Sequence, residues 1–71
     1  MSKEMVFFIY LLEHYAAAKG LSAGDVLDRW NELGLTNFFY DMYELYHSEA
    51  LENAFEDIDR RTQEAVQAAA Q

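Results

Sequence analysis

Two histidines and thirteen carboxylates are the side chains in this sequence that could do chemistry. Histidine is the side chain that ordinarily titrates nearest neutrality. His14 sits beside Glu13, and His47 lies close to Glu44 and Glu49. A zinc site needs three or four well-spaced ligands, and neither H-E-x-x-H nor H-x-x-x-H spacing occurs. No metal or cofactor is therefore expected. His47 reads as a cation satisfying the last carbonyls of the helix before it. Neighbouring carboxylates, Asp57 with Asp59 and Glu49 with Glu52, are the other option for acid–base work. That work needs pKa values shifted by burial in a cleft, whereas these residues fall on the solvated face of an amphipathic helix. No nucleophile–base set and no phosphate-binding glycine loop is present. The sequence thus predicts no catalytic residue and no enzyme.

The carboxylates matter more for their number. Thirteen acidic residues against five basic ones give a formal net charge of −8 over 71 residues. Such a surface repels nucleic acid phosphates and suits a basic protein partner. At this length one domain, residues 1–71, is the expectation. A chain this short buries only roughly 60% of its unfolded surface. The apolar fraction of 52%, with five Phe, five Tyr and one Trp, can nevertheless build a core or serve an interface. Absent cysteines exclude disulfides and thiolate sites and fit a reducing cytoplasm. No signal peptide is expected, because Glu13 and His14 interrupt the apolar run after Lys3 and no small-residue cleavage site follows. That run, from Met5 to Leu12, is far short of the roughly 20 residues that span a bilayer, so no membrane contact is expected.

Local signals divide the chain at Gly20, Gly34 and Ser48. A first helix is expected from about Ser2, as N-cap, to Lys19, with Glu4 in its first turn. Its residues from Met5 to Leu12 are apolar around nearly the whole circumference, which predicts a central helix. Gly20 fits a left-handed stop, with Leu21 folding back toward Tyr15 and Ala16. Ser22 and Asp25 form a shortened capping box, and Leu21 with Val26 a hydrophobic staple. The second helix carries Val26, Leu27, Trp30 and Leu33 on one stripe and ends at Gly34, with Leu35 covering Trp30. Thr36 is expected to cap a third helix with a wide aromatic face. Ser48 is expected to cap a fourth, with Glu49 and Glu52 in its first turn. Leu51, Ala54, Phe55 and Ile58 mark its inner side, Glu52, Glu56, Asp59 and Arg60 its outer one, and a tail at 67–71 should fray. On the third helix, spacing makes Phe39, Met42 and Tyr46 core. Phe38, Tyr40 and Tyr43 exceed one stripe, so some of them should be exposed.

The order of these residues resembles a known family. Phe7-Phe8, Leu11-Leu12-Glu13 and Tyr15 are followed by Lys19-Gly20-Leu21-Ser22-Ala23, then Val26, Leu33-Gly34-Leu35, Tyr40, Tyr43, Tyr46-His47-Ser48 and Glu56-Asp57-Ile58-Asp59. The pattern, from about Met5 to Arg61, is similar to the short bacterial family known as domain of unknown function 3791. The resemblance implies no assigned activity. Genes of that family often lie beside genes for a predicted ADP-ribosyltransferase-like family, which implies a toxin-neutralising or accessory role.

The sequence therefore predicts an all-α, compact bundle of four short helices that acts as a non-catalytic protein-interaction module. Its expected task is to bind and neutralise, or position, a cognate bacterial protein such as a toxin. The alternative is an acidic DNA mimic that blocks a nucleic-acid enzyme, as an anti-defence inhibitor does. A small metal- or ligand-binding regulator is the third option. The residues expected to face the partner are Phe38, Tyr40 and Tyr43, with Glu49, Glu52, Glu56 and Asp59. Four short helices cannot easily bury eleven aromatic rings and an all-round apolar first helix, which leaves a homodimer open as well.

Overall fold

The computed structural model describes residues 1–71 and contains helices only: α1 (Lys3–Lys19), α2 (Ala23–Glu32), α3 (Thr36–Asp41), α4 (Tyr43–Tyr46) and α5 (Leu51–Ala69). The all-α bundle expected from the sequence is the fold, with one expected helix delivered in two pieces. Its accessible surface is 4543 Å², close to the about 4,600 Å² of a folded monomer of this size. The chain closes around its own core.

Capping chemistry places the first two helices. Ser2 accepts the Met5 amide at 3.1 Å, and Ser22 accepts the Asp25 amide at 3.0 Å. Each hydroxyl satisfies one of the donors that a helix start leaves without a partner. Both helices end on a left-handed glycine, Gly20 at φ +70° and Gly34 at φ +72°. In each case the residue after the glycine donates its amide back: Leu21 to the Ala16 carbonyl at 2.9 Å, Leu35 to the Trp30 carbonyl at 2.8 Å. This is the Schellman reversal, and it turns each new helix back along the previous one. Leu35 packs on the core, whereas the Leu21 side chain stays exposed.

Two expected caps are not caps. Thr36 is the first helical residue of α3, and Leu35 occupies the N-cap without a side-chain bond. The Gly34 reversal leads straight into the new helix, with the Phe39 amide reaching the Leu35 carbonyl at 2.9 Å. The Thr36 hydroxyl donates instead to Asn31 Oδ1, tying α3 to α2. Ser48 donates to the Leu45 carbonyl at 2.9 Å and so closes α4. Ala50, in extended conformation, stands at the N-cap of α5, and Glu49 lies outside that helix. The expected third helix breaks at Met42, whose amide reaches only back to Phe39 (3.3 Å). Helix α5 continues to Ala69 and takes in most of the tail expected to fray.

The core is a nest of rings around Trp30, which is fully buried. Phe39 and Phe8 meet it edge-on, at 4.8 Å and 5.9 Å between centroids, and Tyr15 is tilted against it at 5.8 Å. Leu11, Leu12, Ala16, Val26, Tyr46, Ala54 and Ile58 complete it. Edge-to-face pairs of this kind add about 0.5–1.5 kcal/mol each beyond their burial.

Candidate functional site

Helix α5 turns Ala54 and Ile58 into the core and Glu52 and Glu56 outward. The loop before it holds Glu49 near Glu56. Together with Leu45, Asn53, Asp57 and Arg60 these residues line an open groove of about 390 Å³ between α4 and α5. Glu49, Glu52 and Glu56 take part in no ion pair within the chain. Glu49 and Glu56 are thus free charges beside Leu45 in the groove, and Glu52 is a free charge one turn before Glu56 on the same helix.

Asp57 and Asp59 differ from these three in being paired, and for Asp57 the expectation of a solvated face is corrected, while Asp59 stays exposed on 45% of its side chain. Asp57 keeps only 15% of its side-chain surface. It accepts the Tyr46 hydroxyl at 2.5 Å, the Arg61 Nε at 2.9 Å and the Arg60 guanidinium. Burial by itself would raise its pKa, but the hydrogen bonds from Tyr46, Arg61 and Arg60 outweigh that and hold the carboxyl below the usual range. The same bond, added to burial, pushes the Tyr46 phenol well above its ordinary value. Asp59 was expected to face a partner. It accepts the Tyr15 hydroxyl at 2.5 Å and the Lys19 ammonium at 2.6 Å, which ties α5 to the end of α1. Tyr15 is likewise raised by burial and then by Asp59. Both aspartates serve the fold, since each satisfies the one polar atom of a buried tyrosine.

Of Phe38, Tyr40 and Tyr43, some were expected to be exposed toward a partner; Phe38 is exposed, and the three pack on different neighbours. Phe38 lies under the Arg61 guanidinium, 4.5 Å from the ring centroid, on the α5 side. Tyr40 packs on Phe8, with its hydroxyl 3.5 Å from Ser2 Oγ. Tyr43 stands edge-on to Phe7 and stacks on His47 at 4.1 Å. Phe38 and Tyr40 diverge on α3 itself by their helical spacing, and Tyr43 follows the break at Met42. Both Tyr40 and Tyr43 are half-buried.

The exposed apolar surface is on α1 instead. With Phe8, Leu11, Leu12, Tyr15 and Ala16 turned inward, Met5, Val6, Ile9 and Tyr10 are left outside. Val6 and Tyr10, with Lys3, Phe7, Tyr43 and His47, line a shallow cleft of about 450 Å³ between α1 and α4. The all-round apolar pattern of α1 signalled a helix covered on every side, and the remaining helices cover only one side of it. His47 donates Nδ1–H to the Tyr43 carbonyl at 2.6 Å, the satisfaction of a helix-end carbonyl expected for it; His14 does the same to Tyr10 at 2.8 Å.

A third cleft of about 380 Å³, between α1, α2 and α5, has Trp30 and Val26 in its wall and the Lys19–Asp59 pair at its rim. The Thr62 hydroxyl there is buried without a partner. No three His, Asp or Glu residues are grouped so as to hold a metal ion. No helix is long and apolar enough to cross a membrane.

These features define a small all-α protein with one acidic and one apolar outward face. The chain belongs to the family described as protein of unknown function, DUF3791, whose pattern matches residues 6–64. No curated protein and no solved structure matches it.

Proposed function

We propose that the protein is a non-catalytic interaction module that binds a basic protein partner through the groove between α4 and α5. The observation that carries this reading is the contrast along one helix. Asp57 and Asp59 are held by internal donors, while Glu52 and Glu56 on α5, and Glu49 just before it, are held by none; of these three, Glu49 and Glu56 line the groove with Leu45. Unpaired carboxylates around an apolar spot steer a cationic surface and then give it something to bury. A bacterial toxin neutralised or positioned by this protein is the partner the family resemblance suggests. The DNA-mimic alternative is less well supported. A phosphate strand carries one charge per about 3.4 Å, and two of the five carboxylates between Glu49 and Asp59 are already neutralised by internal partners.

The test is retention from the native host on immobilised protein, followed by binding kinetics with the retained species. Wild type is expected to retain a basic protein at low salt and release it at high salt. Glu52→Lys with Glu56→Lys is expected to slow association by about tenfold or more and flatten the salt dependence. The fold should persist, because both positions are exposed and Lys is a good helix former. An unchanged association rate at low salt would refute the assignment of this groove.

A further inference from the structure

The outward face of α1 reads as a second seam. Val6, Ile9 and Tyr10 remain 53%, 42% and 48% exposed, with Met5 beside them at 37%. Their spacing continues through exposed Glu13 and Ala17 and back to Lys3, three or four residues at each step. That is the spacing by which one helix presents a stripe to another. Isolated apolar residues on a surface are ordinary, but a contiguous stripe of large ones marks an interface.

Charge selects the occupant. The protein as a whole carries −8, yet this stripe holds only Lys3 at one end and Glu13 at the other. Of the other charged residues of α1, Lys19 is held by Asp59 and Glu4 is half-buried. A strongly basic or strongly acidic partner would meet a single opposite charge here. A surface with its own two charges reversed end for end would meet both, and the surface that has this property by symmetry is a second copy of the same helix.

We propose that α1 pairs with α1 of a second copy, antiparallel about a two-fold axis. Lys3 of each copy then lies beside Glu13 of the other, and Val6 faces Tyr10. Lys3 and Glu13 are about 15 Å apart along the helix at 1.5 Å per residue, so one register brings both pairs together. In that register Ile9 of both copies lies near the axis. The cleft lined by Lys3, Val6, Tyr43 and His47 receives the Tyr10 ring of the opposite copy. The contact is isologous and closed, with no apolar edge left to propagate. None of the residues lining the acidic groove belongs to this stripe or cleft, so the groove stays open. Screening over about 8–10 Å at ordinary salt weakens the repulsion between the two copies.

Sedimentation equilibrium of the full chain, from roughly 1 to 500 µM, tests the proposal. A monomer–dimer equilibrium is expected. Val6→Glu should weaken it at least about thirtyfold, because two carboxylates enter one apolar seam. Circular dichroism should be unchanged, since Val6 contributes to surface and not core. Glu13→Lys should weaken it about tenfold, each change being made twice per dimer, and adding Lys3→Glu to that variant should restore wild-type association to within about threefold. A strict monomer throughout, or a dimer indifferent to Val6→Glu, overturns the proposal. A double exchange that restores nothing overturns the antiparallel pairing.

Discussion

The outward faces of α1 and α5 leave the same core in different directions, and they differ in what exposure costs. Glu52 and Glu56 are well hydrated, so leaving them in water carries no penalty and by itself says little beyond solubility. Val6, Ile9 and Tyr10 in water forgo about 25 cal/mol for every Å² of apolar surface that a partner could cover. The apolar face therefore demands an occupant more strongly than the acidic face does. The acidic face gains its meaning from a finer contrast, between carboxylates the fold consumes and neighbours it leaves free. Chemistry and salt should separate the two surfaces. Pairing through α1 should survive about 0.5 M salt, while steering through α5 should fade over the same range.

The largest effect expected is one that removes both faces together. Trp30→Ala opens a cavity where α1, α2 and α3 meet and should cost about 3–5 kcal/mol. That is a large share of a small domain's stability, and a thermal melt would show it at once. An unchanged melt would mean that the faces are organised independently of this ring.

Next in size is the comparison of two adjacent carboxylates on α5. Asp57→Ala strips the Tyr46 hydroxyl and Arg61 of their partner and should cost about 1–3 kcal/mol. Glu56→Ala should stay within about 0.5 kcal/mol. Equal losses in urea unfolding would erase the division between consumed and free charge.

The pH dependence sharpens the same division. Because folding lowers the Asp57 pKa, its contribution is present above the unfolded value of about 3.9 and is lost as pH falls below that. Folding raises Tyr15 and Tyr46, so their contribution is present below about 10 and is lost as pH rises beyond it. Melting temperatures are expected to fall at both extremes. Asp57→Asn should flatten the acid limb.

The smallest effect belongs to the apolar face in dilute solution. Val6→Ser should move monomer stability by no more than about 0.5 kcal/mol. A loss several times larger, measured at low micromolar concentration, would show that Val6 belongs to the monomer core.

Which of these features were legible in the sequence follows from the range of the forces behind them. Ser2, Ser22, Gly20 and Gly34 act on amides within five residues, so their roles could be read directly. The break at Met42 has no glycine or proline to mark it, and the rings around it pack on different neighbours, Phe39 on Trp30, Tyr40 on Phe8 and Tyr43 on Phe7. Ser48 had two local partners within reach and took the Leu45 carbonyl over the start of α5. Asp57 and Asp59 looked like surface charge because the tyrosines that claim them lie 11 and 44 residues away. In α1 the apolar pattern has no phase, so it could not say which side would be left uncovered.

The Tyr15–Asp59–Lys19 clamp has a kinetic consequence. Helices that follow one another in the chain pack on one another through the two glycine reversals, and such local contacts give folding in microseconds to milliseconds. The clamp closes a loop of about 40 residues, whose closure entropy is met late in folding. Asp59→Ala should thus leave the refolding limb of a chevron nearly unmoved and steepen the escape from the native state, raising the unfolding rate alone. The bond between the chain's two long helices would then act as a latch that sets how long the molecule stays folded, with little say in how quickly it folds.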